Sequence, residues 1–230
     1  DYRDPFSYHH TLVSKIKAKI LKKIDKITVK ISTAAIFTTP KTTELYQNYF
    51  DDESPDKFNT VENGYDEQNW EKLSKHHLSS KSPISPKKFT LLYSGVLYPN
   101  GRDPTPLFSS IQSLKVSGVI ADDNFELIFQ GAGDGKNYEE LIESLEITNM
   151  VKFTASVPYL DSLACLKEAN ALVIIQGQIF NYQVPAKLYE YIRSTKPLIV
   201  MTPNESATAL AALQHPLSKV ANNRDDIAEV

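Results

Sequence analysis

The chain has 230 residues, of which 41% are apolar and 23% are charged, with a formal net charge of −3. It is long enough to bury a sizeable core, as one large domain or as parts of two, and its charge gives no global reason to expect a nucleic-acid partner. Cys165 is the single cysteine, which excludes an intramolecular disulfide and favours a reducing compartment.

No apolar run approaches the ~18 residues of a membrane-spanning helix, and no signal peptide is recognisable. Because the chain begins at Asp1 without a methionine, we expect a fragment or a processed form.

A basic amphipathic helix is predicted within residues 11–31. Isoleucines repeat there at helical spacing, at Ile16, Ile20, Ile24 and Ile27, and lysines fill many of the other positions. We interpret it as a solvated helix with its apolar face on a core. The alternative is peripheral contact of the basic helix 15–26 with an anionic membrane surface, which such helices can provide.

Two short strands follow, at 34–40 and within 58–66, with a helix at 41–50 between them and a turn at Asn63 and Gly64. The polar, serine-containing stretch that comes next has the composition of a linker. The domain boundaries that this predicts are 1–65, a linker at 66–88, and 89–230.

After residue 88 the pattern becomes regular. Apolar strands are predicted at 89–96, 126–131, 151–155, 171–175 and 197–201, and helices at 105–115, 136–146, 158–169, 185–194 and 205–213. The tail adds one more strand and the start of a helix. Continuous apolar strands that alternate with helices indicate an α/β fold, a parallel sheet covered on both faces. In such sheets ligands bind beyond the carboxyl ends of the strands.

The residues at those strand ends are therefore the candidates for binding. Ser94 and Gly95 close the first strand of this region, and Arg102 in the following loop offers a fork that matches phosphate. The alternative reading is a turn glycine and a surface arginine. Gly131 opens a G-x-G-x-G loop that is neither a dinucleotide fingerprint nor a Walker loop, but that can line a nucleotide cleft.

Later strand ends add further candidates. Ser156 and Val157 lie at a helix start, where exposed backbone amides could read a base, although an ordinary helix N-terminus explains them equally well. Lys187, Glu190 and Tyr191 are predicted to share one face of the helix at 185–194. A lysine in a first helical turn opposes the helix dipole, and a bound diphosphate would resolve that conflict; the alternative is a surface Lys-Glu pair.

Taken in chain order, these segments resemble GT-B glycosyltransferases, especially the large retaining family 4. VPAKLYEYIRSTKPLIV at 184–200 resembles the P-x-K-x-x-E-Y…K-P segment of a bacterial branch, and YSGVLYPNGRDPTPLFSSI at 93–111 resembles the opening strand and loop of its donor domain. DYRDPF at 1–6 is similar to a D-x-R-D-P-W strand end of the first domain, and VENGYD at 61–66 to the crossing into the second.

The resemblance implies a GT-B fold: the C-terminal part of an acceptor-side Rossmann-like domain, then a Rossmann-like donor domain that we expect to be truncated at its C-terminus. It also implies retaining transfer of a sugar from a UDP- or GDP-sugar to a glycan or lipid-linked acceptor, without a required metal or any cofactor. The implied location is the cytoplasm, peripheral at the inner membrane face, in polysaccharide assembly.

By the same resemblance, Arg102 and Lys187 hold the diphosphate and Glu190 binds the ribose. Gly95 and the loop from Gly177 to Tyr182 contact the phosphate and the donor sugar. Asp4, beside Arg3 at a strand end, faces the cleft as an acceptor-side catalytic residue.

Three departures stand out. Tyr182 occupies the position of the first of two glutamates that many members carry, and Thr195 replaces a glycine, so we expect that turn to be shaped differently. Most of the first domain is absent, and neither His9 nor His10 is assigned the role of a donor-site histidine. The alternatives are a nucleotide-sugar 2-epimerase, which the lack of carboxylate and histidine in QGQIFNYQ disfavours, and a non-catalytic binding module.

Overall fold

The N-terminal part of the chain forms a small parallel sheet with two helices. The computed structural model describes residues 2–3, 5, 15–73, 82–98 and 100–228. Its first elements are α1 (Lys15–Ile31), β1 (Ala35–Phe37), α2 (Pro40–Tyr49) and β2 (Phe58–Thr60). β1 pairs with β2 in parallel, and Tyr2 forms a parallel bridge to Phe37. Aromatic packing fills the core of this part, where Phe37, Tyr46, Phe50 and Phe58 are buried together.

Helix α1 corrects the expected orientation of the isoleucine face. The residues that α1 buries are Asp25 and Val29. Asp25 accepts hydrogen bonds from the hydroxyls of Tyr2 and Tyr46, each at 2.8 Å, which satisfies its buried carboxylate. The isoleucines, in contrast, are 45–79% exposed: Ile16, Ile20, Ile24, Ile27 and Ile31. The apolar face therefore points away from the core that α1 covers.

Part of the segment predicted to be a linker is ordered as helix α3 (Glu67–Lys72). Asp66 caps it by accepting the N–H of Gln68 at 2.9 Å. Trp70 is buried in the core of the larger sheet, and Glu67 forms an ion pair with Arg193, whose Nε lies 2.7 Å from the carboxylate. α3 thus packs against the second half of the chain, and residues 74–81 lie outside the described part.

A six-stranded parallel sheet organises the rest of the chain. Its strands are β3 (Phe89–Ser94), β4 (Phe125–Gln130), β5 (Val151–Thr154), β6 (Ala171–Ile175), β7 (Leu198–Met201) and β8 (Ser218–Ala221). Every residue of β4 and β6 is buried, as expected for strands that are covered on both faces. Each of the five strands predicted in this region is present within two residues, and the predicted tail strand is β8.

Helices cover both faces of this sheet. They are α4 (Thr105–Val116), α5 (Glu139–Ser144), α6 (Tyr159–Glu168), α7 (Lys187–Ser194), α8 (Ala207–Ala212) and α9 (Arg224–Ala228). One core, around Phe108 and Phe129, lies on the side of α4, and the other, around Leu166 and Leu188, lies on the side of α6 and α7. The α/β prediction is confirmed. Within the described ranges, no helix is both long and apolar enough to cross a membrane.

The strand order locates the site. The order is β5-β4-β3-β6-β7-β8, so the chain proceeds outward from β3 in one direction and then, from β6, in the other. A crevice forms where the order reverses, beyond the carboxyl ends of the strands. The end of β3, at Ser94, and the end of β6, at Ile175, therefore flank the expected ligand position.

The turn after α7 corrects a second expectation. Thr195 adopts the left-handed conformation, with φ 58° and ψ 23°, although it replaces a glycine and was expected to reshape the turn. Its N–H donates to Ile192 O at 3.1 Å and its hydroxyl to Ser194 O at 2.7 Å. The turn keeps the shape that a glycine would take, and the threonine bears the cost of a left-handed backbone.

Candidate functional site

Lys187 reaches the end of β3 from the first turn of α7. Its Nζ donates to the carbonyl oxygen of Ser94 at 2.6 Å and lies 4.0 Å from the centre of the Tyr93 ring. Gly95, with φ 117°, makes this approach possible, since a Cβ there would lie 2.8 Å from Nζ. The glycine is thus required both by its backbone conformation and by the lysine beside it.

The electrostatics of Lys187 differ from those of a surface lysine. Burial, with the neighbouring charge of Arg102 as the second cause, lowers the pKa of Lys187 from 10.5 to about 7, and the carboxylate of Glu190 opposes the drop. The neutral amine is therefore well populated at physiological pH. An anion beside it would restore the charge.

Arg102 is held in the loop that follows β3. Its guanidinium donates to Val96 O at 3.2 Å and to the side chain of buried Gln176 at 3.4 Å. It also lies between two aromatic rings, 4.8 Å from the centre of Tyr98 and 5.5 Å from that of Phe180. The loops that follow β3 and β6 thus hold the Arg102 guanidinium together.

Gly177 and Gly101 bring those two loops together. The N–H of Gly177 donates to Gly101 O at 2.6 Å, and a Cβ on Gly177 would lie only 2.9 Å from that oxygen. Gly101 itself has φ 139°. The close backbone contact explains why a glycine is needed at 177.

The loop from Gly177 is anchored at Tyr182 by the N-terminal part of the chain. The carbonyl oxygen of Tyr182 accepts hydrogen bonds from the hydroxyls of Thr39 and Thr42, each at 2.7 Å. Thr39 also caps α2 by accepting the N–H of Thr42. Tyr182 is therefore a contact between the two parts of the chain.

Glu190 and Tyr191 diverge, although their spacing placed them with Lys187 on one face. The Glu190 carboxylate accepts a hydrogen bond from Tyr159 Oη at 2.7 Å, whereas Tyr191 is fully buried. The hydroxyl of Tyr191 accepts the N–H of Ser94 at 2.8 Å, so this ring lies behind the site and positions the end of β3. Burial, followed by the hydrogen bond to Glu190, raises the pKa of Tyr159 to about 12.

The first turn of α7 offers fewer free amides than the sequence suggested. The N–H of Leu188 donates to Pro185 O at 2.9 Å and that of Tyr189 to Ala186 O at 3.2 Å. These i to i−3 bonds tighten the turn and occupy two donors. An anion at this position would depend mainly on the side chains of Lys187 and Arg102.

The remaining candidates lie along the same edge of the sheet. Gly131, with φ 71°, follows β4, and a Cβ on it would lie 3.5 Å from Ser156, which is exposed after β5 beside half-buried Val157. Ser94 also connects to α6, through a 3.0 Å contact between its hydroxyl and that of Ser162. The edge thus joins the ends of β3, β4, β5 and β6.

Some predicted residues fall elsewhere. Asp4, His9 and His10 lie outside the described residues, while Arg3 is exposed and its carbonyl oxygen accepts the Thr38 hydroxyl at 2.9 Å. Across the described ranges, no group of three or more His, Cys, Asp or Glu side chains is arranged to hold a metal ion.

Sequence reasoning missed three residues of this region: Tyr98 and Gln176, which contact Arg102, and Tyr159, which donates to Glu190. Their only signal was their position in loops after strands or at a helix start, which is shared by many residues without a function.

One cavity lies at each end of the strands of the larger sheet. One of about 240 Å³ lies beside Gly101, Gly177 and Thr202, next to the site. A larger one of about 680 Å³ opens at the amino ends of the strands, where Lys219 is the single titratable residue in an apolar lining. Neither Lys187 nor Arg102 lines the smaller cavity, which borders the loops that follow β3 and β6, but both cations lie at the same carboxyl edge of the sheet. The candidate site is therefore at that edge.

The fold is that of GT-B glycosyltransferases. WaaG, a glycosyltransferase involved in lipopolysaccharide biosynthesis, matches with a TM-score of 0.62 at 17% identity, over 85% of this chain and 51% of its own. A UDP-forming trehalose-phosphate synthase from Burkholderia xenovorans gives 0.66 at 12% identity, over 91% and 54%. A TarM variant from S. aureus in complex with UDP gives 0.65 at 14% identity, over 96% and 41%.

At these identities the likeness shows the fold alone. This chain spans about half the length of the solved structures it matches. No protein-family model and no curated protein sequence matches it significantly.

Proposed function

We propose that this chain is the donor-binding part of a retaining glycosyltransferase of the family 4 type, which uses a UDP- or GDP-sugar. One observation carries the proposal: Lys187 is a partly buried amine beside Arg102, at the point where the strand order of a GT-B sheet reverses. Two cations at one edge of the sheet match a diphosphate. A lysine that binds no ligand ordinarily keeps its charged end in water.

The surrounding residues support one arrangement of the donor. The diphosphate would lie between Lys187 and Arg102, near Gly95 at the end of β3, where the backbone can approach a ligand closely. The ribose would meet Glu190, in competition with the hydroxyl of Tyr159. The base would reach the backbone at Ser156 and Val157, and the sugar the loop that begins at Gly177.

The two cations would also act in catalysis. Departure of the nucleotide leaves negative charge on the diphosphate, and preorganised positive groups stabilise charge that develops in the transition state. The acceptor would be a hydroxyl of a glycan or a lipid-linked glycan held by the N-terminal part, with Asp4 in the acceptor-side role that the resemblance implies. Polysaccharide assembly at the inner face of the membrane is the process that this chemistry serves.

Calorimetric titration of UDP and GDP into the 230-residue chain tests the proposal. We expect Lys187→Ala to weaken binding of the preferred nucleotide at least tenfold and Glu190→Ala to weaken it several-fold. Lys167→Ala and Glu143→Ala, which remove exposed charges of the same sign elsewhere, are the matched controls. Unchanged affinity in both site variants, or an equal loss in the controls, would overturn the assignment.

A further inference from the structure

The outward isoleucine face of α1 forms a continuous apolar stripe. At about 100° of rotation per residue, Ile16, Ile20, Ile24, Ile27 and Ile31 fall within an arc of roughly 80°. The centre of that arc lies roughly 160° around the helix from Asp25 and Val29, the buried positions. Because the stripe is nearly opposite the core contact, neighbours that lie beside α1 in the same layer would not cover it.

Positively charged lysines lie beside this isoleucine stripe. Helix α1 contains seven lysines and one aspartate, a formal charge of +6 within a chain whose total is −3. The aspartate, Asp25, lies on the opposite, buried side of the helix, and of the flanking lysines Lys30 pairs with Asp52 at 3.3 Å. Lys19, Lys23, Lys26 and Lys30 project along one flank of the isoleucines, and Lys17 lies on the other flank.

We propose that this face of α1 binds the interface of an anionic phospholipid bilayer, with the helix parallel to the membrane plane. Isoleucines of this exposure would enter the boundary between headgroups and acyl chains, while the long lysine side chains reach back to the headgroup phosphates. A second copy of the chain fits less well, because it would oppose one strongly positive helix to another. This surface is independent of the donor site, and its test does not involve nucleotide binding.

Vesicle co-sedimentation of the full chain is the first experiment. We expect binding to vesicles of phosphatidylcholine with 30% phosphatidylglycerol to exceed binding to phosphatidylcholine alone by at least tenfold, and to fall with added salt. The double variants Ile20→Ser with Ile24→Ser, and Lys19→Gln with Lys23→Gln, should each reduce binding at least tenfold. The matched controls are Val116→Ser with Val119→Ser, which are similarly exposed, and Lys136→Gln with Lys167→Gln.

A fluorescent probe tests insertion itself. Cys165 is buried and is the single cysteine, so a cysteine introduced as Ile24→Cys can be labelled selectively with an environment-sensitive dye. We expect a blue shift on adding anionic vesicles for the label at 24 and none for a label at Val116→Cys. An unchanged thermal midpoint in all variants verifies that the fold is intact, since the substituted side chains are exposed.

Each other outcome overturns the proposal. Failure of the native chain to sediment with anionic vesicles would do so directly. Sedimentation that survives the isoleucine substitutions, or that occurs without a blue shift at 24, would indicate electrostatic adsorption only. A dimer in vesicle-free buffer that the isoleucine substitutions abolish would assign the face to a second copy.

Discussion

Nucleotide binding at Lys187 should take up a proton. Burial and the charge of Arg102 lower the pKa of Lys187 from 10.5 to about 7, so above pH 7 most free molecules carry a neutral amine. Because one pKa unit corresponds to about 1.4 kcal/mol, the protein favours the neutral form by roughly 4–5 kcal/mol. A diphosphate within hydrogen-bonding distance favours the ammonium and raises the pKa again.

The assay is calorimetric titration of UDP at pH 8.5 in two buffers with different ionisation enthalpies. At that pH an amine with a pKa of about 7 is about 3% protonated, and the phosphates of UDP are already ionised. A bound-state pKa near 10 therefore predicts uptake of close to one proton per UDP. Affinity should fall about tenfold per pH unit between pH 7.5 and 9.5.

The variant Lys187→Met isolates the responsible group. It should bind UDP weakly, without proton uptake and without the pH dependence, whereas Lys167→Met should behave like the native chain. In the free protein the folded pKa lies below the unfolded value, so the unfolded chain binds more protons between pH 7 and 10.5. Native stability should therefore rise with pH across that window, and this rise should be missing in Lys187→Met. Equal binding heats in the two buffers at pH 8.5 would refute the reasoning.

Two predictions concern the scaffold. Replacing Thr195 with glycine should raise the free energy of unfolding by about 0.5–1 kcal/mol, because a left-handed threonine is strained; denaturant unfolding measures this, and Thr195→Ala, which keeps a Cβ, should gain less. The Glu126 carboxylate is buried, which opposes ionisation, yet Lys152 at 2.6 Å, the Ser85 N–H and the Thr90 hydroxyl hold its pKa below the usual 4.5. The stability that the ionised Glu126 contributes is therefore present at neutral pH and lost as the pH falls below about 4.5. We expect Glu126→Gln to be less stable at pH 7 and to lose less stability in acid, as measured by thermal melts. A loss of stability in acid as steep as that of the native chain would contradict this account.

The larger sheet could be predicted from the sequence because its strands are continuous apolar runs. β4 and β6 are buried at every position, so they carry no alternation that could be mistaken for another element. The edge at which the candidate residues meet also follows from the sequence, since ligands of parallel sheets bind at the carboxyl ends; that a donor binds there stays a prediction.

The orientation of α1 could not be predicted, since periodicity reveals an apolar face but not whether that face is covered. The buried face is set by Asp25, and a charged residue there has no apolar signal; its partners, Tyr2 and Tyr46, are distant in sequence. Likewise, the spacing of Lys187, Glu190 and Tyr191 indicates one broad helix face. It does not reveal that Lys187 and Tyr191 both hydrogen-bond to the backbone of Ser94. Nor does it reveal that Glu190 instead accepts a hydrogen bond from Tyr159.

Ser94 explains why the lysine can be both held and available. Its N–H is taken by the hydroxyl of Tyr191, and its carbonyl oxygen accepts one hydrogen from Lys187. An ammonium has three donors, so when Lys187 is protonated two remain for phosphate oxygens while the bond to Ser94 keeps the side chain in place. The absent Cβ at Gly95 leaves the space that the Lys187 amine occupies. A donor would therefore find the amine already positioned, and the diphosphate would offset the cost of charging it in a buried place.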